Sequence, residues 1–186
     1  DILLVRADLG QIGKVDTKEK QDYVNFILDT IGEEGTLVGL SFTNSFFIKK
    51  NKNLIFDGKN KSYTGAFANI MLNHSKALRS QHPTNSYVAI GKYAEYITKD
   101  HNEFSGAYEP IRKIIELNGK MLLIGCVSSS PGFTTTHLAE VDLGLHKRII
   151  LPSLDGVYYK KNNEIKIFKR KDVGSCSSTF YKFYSF

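Results

Sequence analysis

The sequence has 186 residues, enough for one ordinary globular domain with a substantial core. Its apolar share of 41%, with 12 Phe and 10 Tyr, argues against disorder. No run approaches the ~18 apolar residues of a spanning helix, so the expectation is a soluble, cytoplasmic protein with no membrane partner. The formal charge of +6 admits an anionic partner without requiring one.

The chain opens at Asp1 with the strand pattern Ile2-Leu3-Leu4-Val5, without an initiator Met or a charged-then-apolar leader. The expectation is a single α/β domain over residues 1–186, incomplete at both ends. A loop with two glycines, Arg6 to Val15, leads into a helix carrying Tyr23, Phe26, Ile27 and Ile31; Asp16 and Glu19 have capping-box spacing, and Gly32 ends the run. Thr36 to Leu40 reads as a second strand. Residues 44–64 read as an irregular loop and Gly65 to Leu72 as a short helix.

Ser80 to Ser86 is turn-like, because Pro83 lacks a donor and biases His82 toward an extended conformation. A short strand from Tyr87 to Ile90 and a helix from Lys92 to about Thr98 follow. Pro110 suits a first helical position and opens a helix with Ile111, Ile114, Ile115 and Leu117. Asn118-Gly119 then feeds a strand over Lys120 to Val127, expected to be buried. In the last third, Val157, Tyr158 and Tyr159 face Ile165, Ile167 and Phe168 across Asn162-Asn163, an antiparallel hairpin signal within residues 151–171. Lys160, Lys161, Lys166, Lys169, Arg170, Lys171 and Lys182 make this third basic, for which a solvated face is the plain explanation. Cys126 and Cys176 lack the C-x-x-C spacing and read as ordinary cytosolic thiols.

Chemistry concentrates after the 120–127 strand, in Thr134-Thr135-Thr136-His137-Leu138-Ala139-Glu140. His137 and Glu140 are three apart and share a helix face, at the strand-to-helix handover where α/β sheets tend to bind ligands. From the residues alone His137 is a structural histidine, a general base or a metal ligand; no close second ligand pair supports metal. The Thr134 to Thr136 hydroxyls could donate to an oxyanion. His82 lies in a polar loop that could bind a ligand or merely satisfy its own turn. His74, His101 and His146 read as surface residues. Gly10-Gln11-Ile12-Gly13 follows a strand as phosphate-cradling turns do, yet matches neither the Rossmann nor the Walker pattern.

In order, four blocks resemble the aminoglycoside 3-N-acetyltransferase family: Asp1 to Val5 with Leu9, Gly13 and Val15; Gly35-Thr36-Leu37-Val38 with Phe42-Thr43; Arg79 to Ser86 with Ala89, Gly91 and Ala94; and Gly119 to Gly125 leading to Thr134 through Glu140. The resemblance implies an α/β fold distinct from the GNAT acetyltransferases, with a central mixed sheet flanked by helices, to which the hairpin is added. It implies direct acetyl transfer from acetyl-CoA to an amine, without a metal. His137 would remove the amine proton, Glu140 would hold the imidazole, and Thr134 or Thr135 would polarise the thioester carbonyl. Asp8, Leu9 and Gly10 would approach the cofactor, and Arg79, His82 and Ser86 would line the cofactor and substrate cleft. Where the family commonly has Asn ahead of the histidine, this chain has Pro131-Gly132-Phe133, which leaves the oxyanion donor open.

A polycationic drug favours an acidic acceptor surface, whereas this chain is net basic. The expected acceptor is therefore an amino sugar on an anionic carrier, such as a nucleotide-linked precursor of a surface polysaccharide, with an aminoglycoside antibiotic as the alternative. Two rivals from other classes are a non-catalytic CoA-binding module and a nucleic-acid binder using Tyr158, Tyr159, Phe168, Phe180 and Tyr181. No nucleic-acid partner is expected on balance, and homo-oligomerisation is left open.

Overall fold

A computed structural model describes residues 1–13, 15–43, 55–126, 134–144 and 157–168. β1 (Ile2–Ala7) is central, and its alternating side chains feed two cores: Ile2 and Leu4 on one face, Leu3 and Val5 on the other. It pairs in parallel with β2 (Thr36–Leu40), and the crossover that this requires is supplied by α1 (Asp22–Ile31). After β3 (Ile55–Phe56), α2 (Ala66–Leu72) and β4 (Leu78–Arg79) comes β5 (Tyr87–Gly91), which runs antiparallel to both β2 and β4. α3 (Ala94–Thr98) and α4 (Glu109–Glu116) precede β6 (Lys120–Ile124), which is parallel to β1 on its other side. The resulting mixed sheet has the order β4-β5-β2-β1-β6.

Helices cover both faces. α1 and α2 pack Val24, Ile27, Phe67, Ile70 and Met71 against Val5, Leu37, Val88 and Ile90. On the opposite face α3, α4 and the last helix among the described residues, α5 (Thr135–Asp142), pack Ala94, Ile97, Ile111, Ile114 and Leu138 against Leu4, Val38, Leu40 and Ala89. Both faces of the inner strands are therefore apolar, which is why β2 is buried at every position. Gly39 fits here because a Cβ would lie 2.7 Å from Met71 Sδ.

β7 (Val157–Lys161) and β8 (Glu164–Phe168) form the expected hairpin, with Asn162 and Asn163 at φ 52° and 63° as a tight turn between twisted strands requires. The hairpin does not extend the central sheet. It joins β3 in a second sheet of order β3-β7-β8, whose core is Phe56, Tyr159 and Phe168.

Several expectations need correction. Asp16 and Glu19 form no capping box: α1 begins later, and Asp22 instead accepts from the Lys18 and Glu19 amides at 2.9 and 3.0 Å, closing a turn ahead of the helix. Phe26 is 74% exposed, and Val24 takes the core place beside Ile27. β6 is only half-buried, because among the described residues it has a strand neighbour on one side alone. Outside the described residues fall Val127, the 44–54 part of the irregular loop, Pro131 to Phe133, His146, Lys169 to Lys171, Cys176, Phe180, Tyr181 and Lys182. Among the described residues no helix is long and apolar enough to cross a membrane.

Candidate active site

The carboxyl ends of β1, β2 and β6 point the same way, and the chain leaves β1 toward β2 on one side and reaches β6 on the other. The gap between the β1 and β6 ends is thus a switch point, the place where open α/β sheets hold ligands. Asp8, Leu9 and Gly10 form its β1 side. The Asp8 amide donates to Ile124 O at 2.8 Å, and the Asp8 carboxylate accepts from the Gly10 amide at 3.1 Å. Opposite them Gly125 has φ 65°, and a Cβ there would lie 2.4 Å from Asp8 O, so only glycine lets the two loop ends close together.

α5, which follows β6 in the chain, is anchored by Leu138, which is 5% exposed and packs in the core with Phe42, Tyr87, Tyr108 and Ile111. Burying Leu138 fixes the rotation of the helix and so the direction of its neighbours. His137 Nδ1 lies 2.9 Å from Glu140 Oε2, with the imidazole 33% exposed and the carboxylate 5%. A carboxylate only accepts, so Nδ1 donates and Nε2 is left as the basic edge. Glu140 Oε1 is buried with no partner among the described residues, so His137 is the one group seen to hold this carboxylate in place.

The Tyr108 ring stacks on the imidazole at a centroid distance of 5.5 Å and an interplanar angle of 25°. Arg112 on α4 grips Asp142 on α5 through two nitrogens, at 2.6 and 3.2 Å. Thr134 is buried and Thr135 half-buried; no side chain caps α5 among the described residues, and the His137 amide donates to Thr134 O at 3.1 Å. The arrangement holds a partly open imidazole against a buried carboxylate within the one helix.

Arg79, His82 and Ser86 are placed differently. Arg79 donates to Ser86 Oγ (3.0 Å), Gly58 O (3.2 Å), Asn60 O (2.5 Å) and Ser41 O (2.8 Å), and lies over the Phe56 ring. Burial pulls its guanidinium down to about 10, against the opposing pull of Asp57. Ser86 donates to Ser41 O at 2.6 Å and is 0% exposed. His82 is also 0% exposed; its Nδ1 accepts from the Asn85 amide at 3.0 Å. The hairpin covers this loop, with Phe168 edge-on to the His82 ring at 5.1 Å. Arg79 and Ser86 thus brace a buried turn, and neither His82 nor Ser86 presents an open face.

His101, expected on the surface, is 2% exposed and stacked on His82 at 4.8 Å. Its Nε2 donates to Gly106 O at 3.1 Å and its Nδ1 accepts from the Ser80 hydroxyl at 2.9 Å; burial pushes the imidazole down to about 3. Expectation failed here because Asp100-His101-Asn102 looks like a solvated loop until the 80–86 turn is folded against it. Nothing in the local sequence distinguishes Tyr108 either, an aromatic two residues ahead of Pro110.

A family model described as aminoglycoside 3-N-acetyltransferase matches residues 4–183. Aminoglycoside N(3)-acetyltransferase III of a Salmonella species is 29% identical over 157 residues, covering 75% of this chain and 54% of that protein. The chain therefore spans about half the length of the curated relatives it matches. Among solved structures, AAC-VIa bound to sisomicin aligns with a TM-score of 0.75 at 20% identity, over 95% of this chain and 70% of that one. AAC-IIIb in a binary complex with CoASH aligns with a TM-score of 0.71, also at 20% identity and over 95% and 70% of the two chains. At that identity the two structures establish a shared α/β fold, and the family model covers nearly the whole sequence. The chain belongs to the aminoglycoside 3-N-acetyltransferase family.

Proposed function

We propose that the chain carries the base-bearing part of an acetyl-CoA-dependent N-acetyltransferase acting on an amino sugar. The observation that carries this is the 2.9 Å contact between His137 and Glu140 on α5, the helix that follows β6 in the chain. An alkylammonium is not nucleophilic until it loses a proton, and Nε2 of an imidazole held through Nδ1 can take that proton. The amine nitrogen then attacks the thioester carbonyl, and the C–S bond breaks to release the CoA thiolate. The hydroxyls of Thr134 and Thr135 are the donors assigned to the developing oxyanion. Asp8, Leu9 and Gly10 are assigned to the cofactor side of the crevice, and Arg79, His82 and Ser86 to the scaffold that shapes it.

For the acceptor, relatives support an aminoglycoside over the nucleotide-linked sugar suggested by net charge. One solved structure of the same fold, AAC-VIa, is bound to sisomicin, and another, AAC-IIIb, is in a binary complex with CoASH. Total charge does not describe the lining of a cleft, so the net +6 does not decide the acceptor. The test is CoA thiol release from acetyl-CoA with sisomicin-type drugs and, separately, with nucleotide-linked amino sugars. Turnover of the drugs supports the proposal, turnover of the nucleotide sugars alone overturns the acceptor, and no turnover of any amine overturns the activity.

A further inference from the structure

The geometry points to Tyr108 as a positioning residue that sets the orientation of the His137 imidazole, a role that rests on the acetyl transfer proposed above. A single hydrogen bond from Nδ1 to Glu140 leaves the imidazole free to swing about that bond, and its exposed edge would wander with it. Tyr108 removes this freedom by covering one ring face at 5.5 Å and 25°, a stacked arrangement in the range that aromatic pairs favour. One contact therefore restrains the edge and the other the plane of an imidazole that stays 33% exposed.

Tyr108 is suited to this because it is itself held. It is 6% exposed and packs in one cluster with Leu138, Ile111 and Ala107. It is the N-cap of α4, its carbonyl accepts from the Ile111 amide at 3.0 Å, and Pro110 stiffens the first turn. Two residues earlier, Gly106 O is fixed by His101 Nε2 at 3.1 Å. Farther along, the Arg112–Asp142 pair and the Leu138–Ile111 packing fix the register of α4 against α5. The aromatic face is thus carried by a rigid element other than the one that carries His137.

The test compares the wild type with Tyr108→Phe, which keeps the ring, and Tyr108→Met, which keeps much of the volume without it. In Tyr108→Met the kcat for acetyl transfer is expected to fall roughly 10- to 100-fold with the KM for acetyl-CoA unchanged, the scale of effect that misplacing a reacting group produces. Tyr108→Phe should stay within about twofold. A readout independent of turnover is the downfield proton resonance of His137 Nδ1–H bonded to Glu140: sharp in the wild type and Tyr108→Phe, broadened or lost in Tyr108→Met. Circular dichroism confirms folding, and Tyr108→Leu replaces Tyr108→Met if the latter fails to fold. A non-aromatic variant that keeps both kcat and the sharp resonance overturns the assignment, as does a wild type without the resonance. If the wild type acetylates no amine, the proposed activity fails while the resonance still decides the role of Tyr108.

Discussion

His137 Nδ1 and Glu140 Oε2 are 2.9 Å apart, one turn of α5 apart in sequence, with the carboxylate buried and the imidazole partly open. Glu140→Gln keeps the shape but can present its amide nitrogen to Nδ1, and Glu140→Ala removes the hold entirely. His137→Ala is expected to lower kcat by about 10²- to 10⁴-fold, the usual contribution of a positioned base, with acetyl-CoA affinity retained. Both Glu140 variants should fall between this and the wild type. Steady-state kinetics with calorimetry of acetyl-CoA binding checks the set, and full activity in His137→Ala would end the assignment.

His101 makes the protein sensitive to acid. Its imidazole titrates near 3 in the folded chain because burial disfavours the charged form, against 6.5 ordinarily. Between these values the unfolded chain binds a proton that the folded chain refuses. This contribution is fully present above pH 6.5 and is lost as the pH falls toward 3, by up to about 1.4 kcal/mol per pH unit. Urea midpoints measured from pH 7 to 4 should show a shallower slope in His101→Gln than in the wild type. An identical slope would contradict the neutral, buried state.

Arg79 is expected to behave as a brace. Removing its guanidinium leaves the Ser41, Gly58 and Asn60 carbonyls without that donor, at a cost of roughly 2–4 kcal/mol. Arg79→Lys should recover little, because an ammonium cannot reproduce a planar fork directed at several acceptors. Thermal unfolding should show the loss in both Arg79→Met and Arg79→Lys, while acetyl-CoA affinity changes less than stability does. A selective loss of affinity with stability intact would make Arg79 a ligand contact instead.

Gly125→Ala tests the crevice itself. A Cβ at φ 65° would collide with Asp8 O, so the two loop ends must part. Backbone strain of this kind costs about 1–3 kcal/mol. The expected outcome is a lower melting temperature together with weaker acetyl-CoA binding, since Asp8 to Gly10 move with the clash. Unchanged binding in a destabilised protein would separate the loop from the cofactor.

Much of the architecture was legible because it follows from short-range periodicity. Alternation at Ile2 to Val5 gives a two-faced strand, Asn162-Asn163 gives a tight hairpin turn, and Pro110 marks a helix start. Errors arose where a distant segment decides exposure. Phe26 has the right helical spacing yet points away, and β6 was expected to be buried although it ends the described sheet. The Arg79 to Ser86 loop contains residue types that bind ligands, and the same types also satisfy a turn sealed under a hairpin.

The sequence by itself determined the order of strands and helices, the two-residue β3 and β4 excepted, and the approach of His137 to Glu140, because both depend on contacts within a few residues. Tertiary structure alone decided that the β1 and β6 loop ends meet at Gly125, that Phe168 and His101 enclose His82, and that Tyr108 lies against His137. Those contacts join residues far apart in the chain. They form because the apolar faces of the sheet and helices must be buried together, and local spacing carries no record of which distant surface will cover which.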